Sequence, residues 1–109
     1  MPLPGDLNAV VVTGNFQDPA GFPQSGTVTF TPSAEVTDAT GMVVIPPVPR
    51  IYHLLSGAFT SDPLAATDNA DLSPAWTYEV TVCLTGAPGF SFSCALPHTT
   101  SPVDLSALL

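Results

Sequence analysis

Lysine is absent from this sequence and arginine occurs once, as Arg50, whereas nine residues are acidic, which gives a formal net charge of -8. Proteins bind nucleic acids and anionic membranes mainly through Lys and Arg, which neutralise phosphate groups. Because this chain cannot supply a basic cluster, we expect neither kind of partner. The excess of carboxylates is better explained as a source of colloidal stability.

Charged residues of both signs are scarce as well, at 9% of the chain against 45% hydrophobic residues. A disordered chain has the opposite profile, so this one is expected to fold. Its 109 residues suffice for one core and not for two, which predicts a single domain over residues 1–109. The N-terminus carries no basic region and no long apolar run, so neither a signal peptide nor a membrane span is predicted.

Residues that carry chemistry are few. His53 and His98 lie far apart and lack the paired spacing of metal ligands, and Cys83 and Cys94 do not form a C-x-x-C pair. No G-x-S-x-G elbow or comparable nucleophile motif occurs. Nine acids would suffice for a carboxylate pair of the glycosidase type, but no pattern singles one out. The sequence therefore predicts no enzyme activity, no cofactor and no metal.

One acidic loop leaves an alternative open. Asp68, Asn69 and Asp71, with Asp62 upstream, resemble the oxygen-rich loops that bind calcium. Asp and Asn side chains also form turns by hydrogen bonding to nearby backbone groups. The sequence favours such an Asx-turn and leaves an ion site as the alternative.

Thirteen prolines and eight glycines are hard to place inside helices and indicate short strands separated by frequent turns. The clearest strand is Gly26–Pro32, in which Val28 and Phe30 alternate with threonines, the period of a sheet with one buried face. Further strands are predicted over residues 8–16, 35–36, 42–45, 50–56, 58–60, 76–84 and 90–96.

The segments between these strands also carry information. Pro46, Pro47 and Pro49 mark the edge of a sheet, and a rigid connector explains their spacing more simply than a polyproline ligand does. Residues 61–74 form the longest irregular stretch, which we expect to cross between sheets. The tail, residues 102–109, is apolar enough for a final short strand or a turn of helix.

Residues 76–84 and 90–96 predict a hairpin whose large side chains share one face: Trp76, Tyr78, Val80, Val82, Leu84, Phe90, Phe92 and Cys94. If Leu84 faces Phe90, then Cys94 lies opposite Val80 and the Cys83 side chain points to the other face. A disulfide needs converging side chains, so two free thiols are predicted, with Cys94 buried as a small hydrophobe. Free thiols suit assembly in a reducing cytoplasm.

Short strands at this spacing, with turn clusters between them, predict an all-β protein. The expected architecture is a Greek-key β-sandwich of about seven short strands.

The sequence also resembles a known family. Four segments together are similar to an immunoglobulin-like or carboxypeptidase-regulatory-like (prealbumin-like) β-sandwich module found in virion proteins of tailed bacteriophages that infect actinobacteria. These segments are residues 18–33, 43–47, 66–80 and 103–105. The chain resembles the N-terminal module of minor tail proteins in these phages, and the similarity covers nearly the whole chain.

The resemblance implies a virion structural protein, assembled in the host cytoplasm and present on the particle. In longer tail proteins fibre or enzyme domains follow this module, whereas here the sequence given stops at residue 109. The expectation is therefore a capsid decoration or accessory subunit that docks in several copies onto a repeating lattice of other virion proteins. Attachment to the tail is the close alternative. Adhesin modules of similar fold often carry a Lys–Asn isopeptide crosslink, which a chain without lysine cannot form.

Residues 1–7 and 102–109 are the candidate docking arms, because chain ends are free to reach a neighbour. Their apolar members are Leu3, Leu7, Leu105, Leu108 and Leu109. The alternative is that these residues complete the core of the domain itself. A second function class, a carbohydrate-binding module, would stack Trp76, Tyr52 or Tyr78 on a sugar ring, although strand alternation predicts that Trp76 is buried.

Overall fold

The computed structural model describes residues 7–38, 42–70, 72–86 and 88–108. Within those ranges the protein is all-β, with twelve short strands, one 3-10 turn and no α-helix. None of the described residues belongs to a helix long and apolar enough to cross a bilayer. The strands are β1 Ala9–Val10, β2 Val12–Asn15, β3 Gly26–Pro32, β4 Val36–Asp38, β5 Val43–Ile45, β6 Arg50–His53, β7 Ala58–Thr60, β8 Leu64–Ala65, β9 Leu72–Ser73, β10 Tyr78–Leu84, β11 Phe90–Cys94 and β12 Val103–Asp104, followed by the 3-10 turn Leu105–Ala107.

Two sheets form the body of the sandwich. The larger sheet has the order β11-β10-β3-β6 and the smaller one has the order β12-β2-β7. Their inner faces meet at Phe30 on β3 and Phe59 on β7, whose ring centroids lie 6.2 Å apart. Aromatic pairs at such distances add to the stability that burial of apolar area already supplies.

Strand neighbours are mostly distant in sequence. β3 lies between β6 and β10, and β12 returns to pair in parallel with β2. Such crossovers are the connections expected of a Greek-key sandwich. The all-β prediction is therefore confirmed. The strand count exceeds the expected seven because the predicted strand over residues 8–16 divides into β1 and β2, and because β8 and β9 lie within residues 61–74, which were predicted to be irregular.

Residues 8–16 show how one predicted strand becomes two. β1 pairs with β8 whereas β2 pairs with β7, and Val11 between them belongs to neither strand. Two predicted strands, Gly26–Pro32 and Ala58–Thr60, have the predicted bounds. The others differ at their ends: residues 35–36 correspond to β4, which begins at Val36, and residues 50–56 correspond to β6, which ends at His53.

The core follows the alternation of β3 and β10. The inward residues of both strands are buried, as predicted, except Leu84 at the end of β10, which is half-buried. Trp76 just before β10 is buried as well, and the buried set is Val28, Phe30, Trp76, Tyr78, Val80 and Val82. The edge strand β11 contributes less. Phe92 and Cys94 are half-buried and Phe90 is exposed, because β11 has a neighbour on one side only.

The predicted hairpin register is wrong by two residues. Val82, not Leu84, lies opposite Phe90, and Cys94 lies opposite Tyr78 rather than Val80. A shift of two preserves which face each side chain takes. Cys83 and Cys94 are accordingly both free thiols, Cys83 exposed and Cys94 half-buried rather than fully buried. Burial raises the pKa of the Cys94 thiol.

Residues 61–74 are more ordered than predicted. They contain β8 and β9, which belong to different sheets, so the segment does cross between sheets. Its conformation is held by the buried Asn69 side chain, which accepts a hydrogen bond from the Asn8 N–H at 2.8 Å and donates to the Asn8 carbonyl at 3.0 Å. The side-chain amide of Asn69 thus bonds to the Asn8 backbone as a neighbouring strand would. The spacing of apolar residues in the sequence gives no sign of such a bond.

Tyr78 supplies a testable buried hydrogen bond. Its hydroxyl donates to the Ala65 carbonyl at 2.8 Å, and burial raises the pKa of this phenol well above its usual range. We expect Tyr78→Phe to lower the free energy of unfolding by about 1–2 kcal/mol at pH 7, because the buried Ala65 carbonyl loses a donor.

The same variant should change the alkaline limb of the stability curve. Because the folded-state pKa of Tyr78 is raised, its contribution is complete below the ordinary tyrosine pKa of about 10 and is lost as pH rises towards the folded-state value. The chain has no lysine, so few other groups titrate there. Urea unfolding between pH 7 and 11 should show a shallower decline for Tyr78→Phe than for wild type. Equal slopes would contradict this assignment.

Candidate docking surface

The apolar residues of the proposed docking arms are mostly part of the domain core. Leu7 is 7% exposed and Leu105 is 2% exposed, and Leu108 packs against the core from a half-buried position. Leu3 and Leu109 lie outside the described residues. For Leu7 and Leu105 the structure thus favours the alternative, completion of the domain's own core. A docking role for residues 1–7 and 102–109 stays a prediction.

The C-terminal segment is also held by the backbone. β12 pairs with β2, and the Asp104 carboxylate caps the 3-10 turn by accepting a hydrogen bond from the Ser106 N–H at 2.9 Å. That hydrogen bond lowers the pKa of Asp104.

Two of the three aromatic residues considered for sugar stacking are buried, and the third is half-buried. Trp76 and Tyr78 are buried and contact each other, with ring centroids 4.7 Å apart. Tyr52 is half-buried and stacks against Phe59 at 6.2 Å. The prediction that Trp76 is a core residue is confirmed.

The acidic loop is engaged in contacts within the protein. The Asp68 carboxylate accepts a hydrogen bond from the His98 N–H at 3.2 Å, and Asn69 binds Asn8 as described above. Asp62 forms an ion pair with Arg50. Asp71 lies outside the described residues. Within the described ranges no group of three or more metal-ligating side chains occurs. The Asp68 and Asn69 contacts reach backbone groups far away in sequence, so they are tertiary contacts and not the local bonds of the predicted Asx-turn.

Exposed apolar side chains concentrate elsewhere, in residues 42–55. Among the described residues, seven large hydrophobic side chains are exposed, and five of them belong to this segment; the other two are Phe22 and Phe90. The five are Met42, Val44, Val48, Ile51 and Leu55. Three of them, Val48, Ile51 and Leu55, lie on or beside β6.

β6 is an edge strand whose outer side is open. Among the described strands it pairs with β3 alone. The Leu54 N–H, just after β6, donates to the Gly26 carbonyl of β3 at 2.9 Å. Backbone groups of alternate residues in a strand point to opposite sides, so the N–H and C=O groups of Ile51 and His53 point away from β3.

The open side ends where β6 turns into β7. Leu55 and Ala58 exchange backbone hydrogen bonds of 2.8 and 3.0 Å around a two-residue turn at Ser56 and Gly57. Both turn residues have positive φ, 51° and 80°, which marks a type I′ hairpin. Gly57 suits this position because its backbone adopts positive φ without a steric penalty.

Beyond this turn the two strands separate, since β7 joins β2 in the smaller sheet. The separation leaves a cleft of about 370 Å³ lined by Tyr52, His53, Leu55, Ala58, Phe59 and Thr60. We call the open backbone groups of Ile51 and His53, together with this cleft, the β6 edge.

The single positive charge of the chain lies at the start of the β6 edge and is already paired. Arg50 and Asp62 form an ion pair, and the Tyr52 hydroxyl donates to the same Asp62 carboxylate at 3.3 Å. The hydrogen bond to Asp62 raises the pKa of Arg50, and the hydrogen bond from Arg50 lowers the pKa of Asp62. Both side chains are more than half exposed, so solvent screens the pair and its stabilising effect is small.

Replacement of the arginine should be visible at its partner. We expect Arg50→Gln to raise the pKa of Asp62 towards the ordinary carboxyl value, because its main hydrogen-bond donor is removed. The ion pair stabilises the fold at pH values above the ordinary carboxyl pKa, and this stabilisation is lost as pH falls through the lowered pKa of Asp62. The variant should therefore lack this pH-dependent part of the stability. Carboxyl chemical shifts measured during an NMR titration report both values.

Asp104 is the internal control for this titration. Its pKa is lowered by Ser106 rather than by Arg50 and should stay unchanged in the variant. An Asp62 pKa equal in both proteins would show that the ion pair does not form in solution.

In comparisons with protein-family models, curated proteins and solved structures, nothing matches this chain.

Sequence reasoning located this region only in part. The prolines at positions 46, 47 and 49 indicated a sheet edge, and β6 begins directly after them. It did not predict that β7 leaves β6 for the other sheet, because the choice of strand partner depends on residues far away in sequence. The signal that the sequence offered was the position of Ile51 and Leu55, two apolar residues close to a predicted sheet edge.

Proposed function

We propose that this protein is a structural subunit of a virion that works by docking onto other proteins of the particle. The observation that carries the proposal is the β6 edge, an open strand edge bordered by exposed apolar side chains. Ile51 is 55% exposed and Leu55 is 79% exposed. These side chains lie next to backbone donors and acceptors that β3 does not use.

Open edges of this kind are normally protected. Soluble proteins place lysines, prolines or bulges on edge strands to prevent pairing with other chains. Here the prolines stop before β6 begins and the chain has no lysine, so within the described structure Arg50, already paired with Asp62, is the only charge on β6 itself. An edge left available in this way is suited to contact with another protein.

The placement on a virion comes from the resemblance to phage virion modules. A capsid decoration or accessory subunit, docked in several copies, is the form we propose, with a minor tail protein as the alternative. The scarcity of charge supports a surface meant to pack against other proteins.

Mass spectrometry of purified particles from a culture that produces this protein tests the proposal. A copy number in fixed ratio to a major capsid or tail protein is expected, and the protein that sets the ratio distinguishes head from tail. Absence of the chain from purified particles, with the chain abundant in the lysate, would overturn the virion assignment.

A further inference from the structure

We infer that the β6 edge binds an extended segment of a basic partner protein by adding it as a further strand to the larger sheet. This inference rests on the proposed docking function and specifies its partner. The order of the sheet would become β11-β10-β3-β6-partner. Strand addition at an exposed edge is a common mode of peptide recognition, in which main-chain hydrogen bonds give affinity and pockets for alternate side chains give specificity.

The structure limits where the partner strand pairs. Residues 46, 47 and 49 are prolines without an N–H group, and the Val48 N–H already donates to the Pro46 carbonyl at 2.7 Å. At the other end the backbone of Leu55 pairs with Ala58. The free window therefore comprises Ile51 and His53, which together supply two donors and two acceptors.

The cleft selects the side chains of the partner strand. Tyr52, Phe59 and Leu55 are among the residues that line it. Phe59 is buried and stacked on Tyr52, and Leu55 is exposed. An apolar side chain directed into this cleft gains contact with aromatic and aliphatic carbon. Because strand residues alternate between faces, the next side chain of the partner points away from the cleft and is free to be polar.

Charge decides between a second copy of this chain and another protein. Each copy has a formal net charge of -8, and its one cation is paired with Asp62, so two copies repel each other. The negative charge that makes two copies repel each other attracts a basic segment of another protein.

Two matched substitutions test the strand pairing. Ile51→Pro removes the outward N–H without touching a hydrogen bond to β3, and proline is tolerated where an edge N–H faces solvent. Ile51→Thr keeps this N–H and the β-branched shape but removes apolar surface. The probe is a capped peptide of about nine residues with alternating Val and Lys, and its control has Glu in place of Lys.

Titration calorimetry should show binding of the Lys peptide to wild type. Ile51→Pro should weaken it about tenfold or more, whereas Ile51→Thr should weaken it by only about threefold. The Glu peptide should bind at least about tenfold more weakly than the Lys peptide.

An NMR measurement on the wild type covers the case in which Ile51→Pro does not fold. With the Lys peptide bound, amide hydrogen exchange should slow at Ile51 and His53, whereas the inward-pointing Tyr52 amide, bonded to β3, should change little.

Several results would overturn the inference. These are no binding of the Lys peptide, unchanged exchange at Ile51 and His53 in the complex, or equal affinities for the Lys and Glu peptides. Self-association of the wild type that Ile51→Pro abolishes would identify a second copy as the occupant instead.

Failure of the strand-addition inference can be distinguished from failure of the virion proposal. A chain present on particles with an inactive β6 edge docks through another surface, and the virion proposal stands. If the chain is absent from particles but its β6 edge still binds the Lys peptide, the protein is a strand-binding module of another assembly.

Discussion

Phe30→Ala is expected to lower the free energy of unfolding by about 3–5 kcal/mol, the usual cost of removing a buried aromatic ring. Phe30 is 1% exposed and its ring contacts Tyr52, Phe59 and Tyr78, with centroid distances of 6.1 to 6.2 Å. It thus joins the two sheets and also supports Tyr52 under the β6 edge. For a domain of this size the loss is a large fraction of the total stability.

Urea unfolding followed by the fluorescence of Trp76, the only tryptophan, measures the effect. The midpoint should fall by about 2 M or more. Phe22→Ala is the matched control, because Phe22 is 66% exposed and its loss should change stability by no more than about 0.5 kcal/mol. Similar midpoints for the two variants would show that Phe30 does not join the sheets.

Gly26→Ala should be the second most damaging change, at about 2–4 kcal/mol. Gly26 has φ +152°, and a Cβ placed there would lie 2.1 Å from the Cys83 carbonyl oxygen and 2.9 Å from the Leu84 Cα atom. Both are backbone atoms of β10, so β3 and β10 would have to separate at this end. The Gly26 carbonyl also accepts the Leu54 hydrogen bond, so the end of β6 should loosen with it.

Gly86→Ala separates backbone strain from the steric clash. Gly86 also has positive φ, +78°, but apart from its chain neighbours no atom of the described structure lies within 4 Å of its added Cβ. This variant should lose only about 1 kcal/mol, the cost of a non-glycine residue in the left-handed region. Equal losses for the two alanine variants, measured by the same urea unfolding, would show that the close approach to β10 is not what requires glycine.

The sequence predicted those strands in which buried apolar residues alternate with exposed polar ones. Val28 and Phe30 alternate with threonines in β3, and the same period in β10 marks its inner face, so both strands were found with nearly correct bounds. The hairpin register was not predictable in the same way. A loop containing Gly86 and Gly89 closes at more than one length, and alternation is unchanged by a shift of two residues.

Long-range pairing explains most of the remaining differences. The division of residues 8–16 into β1 and β2 depends on where β7 and β8 lie, and the order in residues 61–74 depends on the Asn69 side chain bonding to Asn8. For the candidate site, three prolines indicated the edge, but the cleft exists only because β7 leaves β6 for the other sheet. The choice of sheet is a property of the assembled core rather than of residues 50–60.

The central claim, docking through the β6 edge, is tested most directly by a cryo-EM reconstruction of a particle that carries this protein. The account predicts an additional strand of partner density running beside Arg50–His53, with an apolar side chain in the cleft over Tyr52. A reconstruction in which the partner contacts other surfaces and β6 faces solvent would contradict it.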